Sequence, residues 1–159
     1  SYKDIFLNSF IFIFVIVIQQ YLPLIHLGPI SVQPDILIVY LTFMTIINNR
    51  FQTIILGFCL GFLQDLLHQV SLVGLFCFIK SLSAYILGFI NSHKSLWNIG
   101  TKYFVVVLTY YIHFFFFFYI FTNDLTSIYS ILKYSFFQAF SSFSIFAIMN
   151  VFIFRSRFI

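Results

Sequence analysis

Residues 51–90 read FQTIILGFCLGFLQDLLHQVSLVGLFCFIKSLSAYILGFI, two apolar runs joined by a short turn. When the first run is wound as an α-helix at about 100° per residue, its small and polar side chains fall within roughly a third of the circumference. The rest of that helix surface is apolar and suited to lipid. The small and polar side chains are Thr53, Gly57, Gly61, Gln64, Asp65 and His68.

The second apolar run carries Lys80 in its middle, with small residues such as Gly74 and Gly88 on or beside the same face. In lipid, small residues allow two helices to approach closely, and a buried ionisable residue needs a partner. We therefore predict that the two helices pack together or against a third helix. The same reasoning predicts that Asp65 and Lys80 neutralise each other.

The composition of the chain is that of an integral membrane protein. Of the 159 residues, 62% are hydrophobic and only 8% are charged, whereas a soluble domain carries about 25% charged residues. So few charges cannot cover a folded domain with a wetted surface. The net charge of +4 is therefore expected to reflect membrane topology rather than binding to nucleic acid.

Six apolar runs predict a bundle of six transmembrane helices. Most of them have the roughly 17–25 residues needed to cross a bilayer about 30 Å thick, and the second run is shorter. We predict an all-α integral membrane protein with a single domain, residues 1–159. The spans are expected at about residues 5–21, 35–47, 51–69, 72–90, 101–121 and 128–154.

The basic residues indicate which loops face the cytoplasm. If both termini are cytoplasmic, six Lys and Arg residues fall on that side of the membrane and none falls in the opposite loops. This excess follows the positive-inside rule, so we predict that both termini are cytoplasmic. The six residues are Lys3, Arg50, Lys94, Lys102, Arg155 and Arg157.

Pro34 and Asp35 are typical of the start of a helix, here the second span. An acidic side chain at this position accepts hydrogen bonds from the free amides of the first turn and interacts favourably with the helix dipole. We therefore predict structural roles for both residues.

Two interpretations of the polar stripe and Lys80 stay open. The stripe could line a pocket or bind a partner near the outer leaflet, or an internal ion pair could only fix how the two helices pack. The Gly57-x-x-x-Gly61 spacing is typical of close helix contact, either within one chain or between chains. The residues predicted for the pocket or partner face are Gly57, Gly61, Gln64, Asp65, His68 and Lys80.

The sequence shows no pattern that indicates catalysis. It has no nucleophile beside a base, no glycine-rich phosphate loop and no cluster of metal ligands at the usual spacing. We therefore predict no catalytic, cofactor or metal site, and a protein that is not an enzyme.

Four short motifs follow one another in residues 34–90. They are Pro34-Asp35-Ile-Leu-Ile-Val, Gly57-Phe-x-x-Gly61-Phe-Leu-Gln-Asp65, Gly74-Leu-x-x-x-x-Lys80 and Ala-Tyr-x-x-Gly88. Together they resemble the rod-shape-determining protein MreD family. The resemblance in length, number of spans and order of motifs covers nearly the whole chain, and it gives Gly74 and Gly88 structural roles.

The resemblance implies a non-catalytic scaffold, without a cofactor, in the bacterial cytoplasmic (inner) membrane that serves lateral cell-wall synthesis. Its implied partners are the single-span protein MreC and, through it, the transglycosylase RodA, a class B penicillin-binding protein and the actin-like MreB. The family fold is also similar to the S-components of energy-coupling-factor vitamin transporters, which supplies an alternative function, a small-molecule-binding transport subunit. Contact with membrane lipid is expected, and self-association into a homo-oligomer stays open.

Overall fold

The computed structural model describes residues 2–27, 30–68, 73–121 and 127–152. Within these residues the chain forms six α-helices and one short β-hairpin. The helices are α1 (Tyr2–Tyr21), α2 (Ile36–Ile47), α3 (Arg50–His68), α4 (Leu75–Ser92), α5 (Ile99–Phe121) and α6 (Ile128–Phe152), and the strands are β1 (Ile25–Leu27) and β2 (Ile30–Val32).

Four of the described helices are long and apolar enough to cross a membrane, and the chain is a helical membrane protein. The apolar stretch Phe10–Tyr21 and helix α2 are below that length. The prediction of membrane helices is confirmed, whereas the count of six spans stays a prediction. The four long segments are Arg50–Leu67, Leu75–Ser92, Ile99–Ile120 and Ile128–Phe152.

The predicted helix ends fall within three residues of the observed ends wherever the two can be compared. The predicted ends at residues 69, 72 and 154 lie outside the described residues. Arg155 and Arg157, two of the basic residues from which the membrane orientation is predicted, also lie outside them. The side chain of Lys3 does as well.

The all-α prediction misses one element, the antiparallel hairpin of β1 and β2. Ile25 pairs with Val32, and Leu27 pairs with Ile30. Isoleucine and valine favour extended backbone, but two strands of three residues each are too short for their alternation to be recognised in an apolar chain.

Helix α2 forms the centre of the bundle. Residues 37–43 are all buried, as expected for a stretch of helix that neighbouring helices cover. On one side it contacts α4, α5 and α6 through a core that includes Leu87, Val106 and Phe146. On the other side it contacts α1 and α3 through a second core that includes Leu60.

Helix α2 begins short of the level at which the neighbouring helix α3 ends. The two helices are joined by a short turn at Asn48 and Asn49. Helix α3 has 19 residues and α2 has 12, and the difference of seven residues corresponds to roughly 10 Å of helix. The start of α2, and the irregular segment that leads into it, therefore lie inside the bundle.

Helices α3 and α4 pack with their backbones almost in contact, and the glycines of α3 make this possible. A Cβ atom added at Gly57 would lie 2.8 Å from the carbonyl oxygen of Lys80, and one added at Gly61 would overlap the carbonyl of Phe76. Helices α3 and α4 therefore pack against each other, which is the first of the two predicted alternatives. The close contact at the glycines lies within one chain.

The substitution Gly61→Ala should destabilise the protein, although alanine favours a helix by about 1 kcal/mol over glycine. Because the new methyl group has no space, we expect a net loss of about 1–3 kcal/mol, as for overpacked cores. The control is Gly100→Ala in α5, where nothing lies within 4 Å of the added Cβ. Equilibrium unfolding in mild detergent measures both variants, and equal stability of the two would contradict the packing described here.

Candidate functional site

A buried ion pair joins the start of α2 to the middle of α4. The ammonium nitrogen Nζ of Lys80 lies 2.5 Å from Oδ2 of Asp35. Lys80 is 0% exposed and Asp35 is 3% exposed. Because Lys80 is the sixth residue of α4, the pair lies at the depth of the membrane-spanning helices.

Asp35 also caps helix α2, as the sequence predicts. Its Oδ1 accepts hydrogen bonds from the amides of Leu37, at 2.9 Å, and Ile38, at 3.2 Å. These amides belong to the first turn of a helix and have no acceptor within it. One carboxylate therefore serves two purposes, with one oxygen bound to the helix end and the other to Lys80.

His113 of α5 is the third ionisable side chain of this site. Its Nε2 lies 3.5 Å from Oδ2 of Asp35, and its Nδ1 lies 3.0 Å from the hydroxyl of Ser83 on α4. His113 and Ser83 are both buried. The carboxylate of Asp35 is therefore approached by a lysine from α4 and by an imidazole from α5.

Side chains of α1 and α6 bind the backbone that precedes α2. Gln19 donates from Nε2 to the carbonyl of Pro34 at 3.2 Å and accepts at Oε1 from the amide of Ile36 at 2.7 Å. The hydroxyl of Ser142 accepts from the amide of Asp35 at 3.0 Å. Irregular backbone at membrane depth needs such partners because lipid offers none. The structural roles predicted for Pro34 and Asp35 thus correspond to these hydrogen bonds at the start of α2.

The predicted pairing of Asp65 with Lys80 is wrong. The carboxylate of Asp65 instead accepts hydrogen bonds from three amides at the start of α4: Gly74 at 3.0 Å, Phe76 at 3.1 Å and Cys77 at 3.3 Å. The N-cap residue of α4 is Gly74, which has no side chain to accept a hydrogen bond from the first turn. The carboxylate at the end of α3 therefore satisfies the free amides of α4 and interacts favourably with its dipole.

Gly74 and Gly88 each occupy a position that suits glycine. Gly74 has a φ of 102°, in the left-handed region that other residues rarely adopt. A Cβ atom at Gly88 would lie 2.6 Å from Cγ of Arg50. The guanidinium group of Arg50 lies 4.0 Å from the ring centroids of both Tyr85 and Phe89, an arrangement that favours cation–π attraction.

The remaining residues of the predicted pocket or partner face do not all meet at one place. Gln64 is buried and lines a cavity beside Asp35. Gly57 and Gly61 face α4, as described above. The side chain of His68 lies outside the described residues.

The sequence interpretation did not place Gln19, Ser83 and His113 at this site. Each of them interrupts an apolar run with a polar side chain, and a polar residue within a membrane helix normally faces the protein interior. That signal was present in the sequence. What it does not show is which of these side chains meet, since they come from different helices.

The chemistry of this site is electrostatic. Among the described residues, no group of three or more His, Cys, Asp and Glu side chains is arranged to hold a metal ion. The carboxylate of Asp35 and the ammonium of Lys80 compensate each other's charge, and both take part in holding helices together.

In a comparison with protein families, the chain matches a family model described as rod shape-determining protein MreD over residues 3–156. The searches of curated proteins and of solved structures found no match.

The cap formed by Asp65 predicts a graded response to substitution. Asp65→Ala should lower the free energy of unfolding by about 0.5–2 kcal/mol, the usual cost of a lost cap. Asp65→Asn should cost less, because asparagine keeps one oxygen for the amides of α4. Unfolding in mild detergent measures both variants, with Cys59→Ala, exposed on the same helix, as the control.

An ion pair between Asp65 and Lys80 would give a different pattern. Both substitutions would then leave a buried lysine without its counter-charge, and each would cost about 3–5 kcal/mol. Equal and large losses for the two variants would therefore contradict the capping role.

Proposed function

Because this chain belongs to the rod shape-determining protein MreD family, we propose that it is a non-catalytic membrane scaffold that binds the membrane helix of MreC. The family determines cell shape, and that is the role of this chain. Through MreC, the scaffold associates with RodA, a class B penicillin-binding protein and MreB. The protein is located in the bacterial inner membrane, which it crosses six times with both termini in the cytoplasm.

The arrangement of the buried polar groups supports a scaffold. Asp35, Lys80 and Asp65 each have partners within the chain, so they contribute to the shape of the bundle rather than to a reaction. Gly57, Gly61 and Asp65 are also covered by α4, and a partner helix therefore needs a different surface from the one that the sequence suggests.

A groove between α1, α2 and α3 provides such a surface. It has a volume of about 490 Å³, and helix α1 packs mainly against α2, which leaves space beside it. Exposed apolar side chains such as Ile13 and Ile47 flank the groove. An apolar helix placed in a groove of this kind can pack closely against its walls. The residues that line it are Phe12, Ile13, Tyr40, Met44, Ile47, Asn48 and Leu56.

The side chain of Tyr40 favours this groove as the surface that binds a partner. Its side chain faces the groove, and its hydroxyl makes no hydrogen bond within the part of the chain that the structure describes. In lipid, a hydroxyl group gains from a polar partner, and hydrogen bonds of this kind join membrane helices. A polar side chain of a docked helix would supply the partner that Tyr40 lacks.

Site-specific photocrosslinking tests this surface without removing any residue that supports the fold. A photoreactive amino acid in place of Ile13 should crosslink to MreC in living cells. The same amino acid in place of Phe136, which is exposed on α6 away from the groove, should crosslink far less. Mass spectrometry identifies the crosslinked protein.

The outcomes separate the scaffold from its alternative. Crosslinks to MreC from Phe136 but not from Ile13 would reject the groove and keep the scaffold. Purification of the protein in mild detergent, followed by mass spectrometry, tests the alternative. If a pair of ATPases with a coupling membrane protein is found in place of MreC, the scaffold is overturned and the transport subunit is favoured.

A further inference from the structure

A cavity of about 340 Å³ lies beside the start of α2. It is at the end of the bundle where α1 and α3 finish and α2 and α4 begin, which is the outer side under the predicted orientation. Its volume is within the range of small-molecule sites, about 300–1,000 Å³. Polar side chains from three helices and the segment before α2 line it: Gln19, Gln33, Gln64, Gln138 and Asp35.

The carboxamide groups of Gln33 and Gln138 have fixed orientations. Gln33 donates from Nε2 to the carbonyls of Leu22, at 3.2 Å, and Gln19, at 3.4 Å. Gln138 donates from Nε2 to the carbonyl of Gln33 at 2.7 Å. Within the described residues, the carboxamide oxygens of these two side chains accept no hydrogen bond. The cavity therefore offers two acceptors to a ligand that donates hydrogen bonds.

The charges around the cavity favour a neutral ligand. Among the described residues that line it, Asp35 is the one that carries a charge, and Lys80 compensates that charge at 2.5 Å. A charged ligand would lose its hydration here without meeting an opposite charge, which is costly in a low-dielectric environment. Hydroxyl groups meet the need for donors without adding charge.

Aromatic rings form the apolar part of the wall. The rings of Phe76 and Phe117 are stacked, with centroids 5.1 Å apart, and Phe117 and Phe118 meet edge to face at 5.2 Å. All three side chains line the cavity. Flat apolar surfaces beside hydrogen-bond acceptors suit a ring that has hydroxyl groups at its edge and C–H groups on its faces.

We propose that this cavity binds a neutral, hydroxyl-bearing ring of monosaccharide size, either a free sugar or the sugar headgroup of a lipid. The two sources share the same chemistry at Gln33, Gln138 and the phenylalanine rings. The site is separate from the groove between α1, α2 and α3, and it does not depend on the binding of MreC.

The test uses the full chain in phosphatidylcholine nanodiscs, because detergents with sugar headgroups would occupy the proposed site. The probe for a free sugar is glucose, observed by saturation-transfer difference NMR. The probe for a lipid headgroup is monoglucosyl diacylglycerol, added to the nanodiscs and detected on the protein by native mass spectrometry. We expect one of the two probes to bind.

Three variants locate the binding. Gln138→Leu should weaken binding by about tenfold, as expected when one hydrogen bond is removed. Gln20→Leu, the same change at an exposed position of α1, should have no effect. Leu24→Trp fills the rim of the cavity without removing a described hydrogen bond, and it should abolish binding even if Gln138→Leu does not fold.

The outcomes decide both the site and the source of the ligand. If glucose binds and Leu24→Trp abolishes that binding, the site takes a free sugar. If only the glycolipid binds and Leu24→Trp abolishes its binding, the site takes a lipid headgroup. Binding that is unchanged in Leu24→Trp and in a folded Gln138→Leu would overturn the proposal, as would no binding of either probe.

Discussion

The ion pair between Asp35 and Lys80 is the interaction on which the rest of the structure depends. Removing two charges from water costs several kcal/mol for each ion, and their attraction compensates this cost only when the geometry is good and other polar atoms are satisfied. Here the carboxylate meets these conditions, with two amides on one oxygen and the ammonium on the other. The pair joins α2 to α4 inside the bundle, where an unpaired charge would be expensive.

The ion pair also explains how an irregular segment is tolerated at membrane depth. Helix α2 is too short to reach the level at which α3 ends, so residues 33–35 enter the bundle without helical hydrogen bonds. Gln19, Ser142 and Gln138 supply partners for the backbone of this segment. Side chains from α1, α4, α5 and α6 thus converge on one short stretch of chain. The cavity lies beside this stretch, since the helices cannot close around a segment that is not helical.

Much of the fold could be predicted from the sequence because the bilayer imposes simple rules. Apolar runs of sufficient length indicate helices, the glycines of α3 indicate close packing, and Pro34-Asp35 indicates a capped helix start. The arrangement of the charges could not be predicted in the same way. Asp65 and Lys80 are close in sequence, so pairing them was the simplest interpretation. Asp35 lies 45 residues from Lys80, and the capping role already assigned to it concealed the fact that its second oxygen was available.

Double substitutions decide which acid restores a chain that lacks the lysine charge. Lys80→Met should destabilise the protein by about 3–5 kcal/mol, because it leaves a buried carboxylate without a counter-charge. Adding Asp35→Asn, which removes that charge and keeps a good helix cap, should recover part of the loss in thermal unfolding measured in mild detergent. Adding Asp65→Asn instead should cause a further loss. Recovery by Asp65→Asn and none by Asp35→Asn would contradict the central role of the Asp35–Lys80 pair.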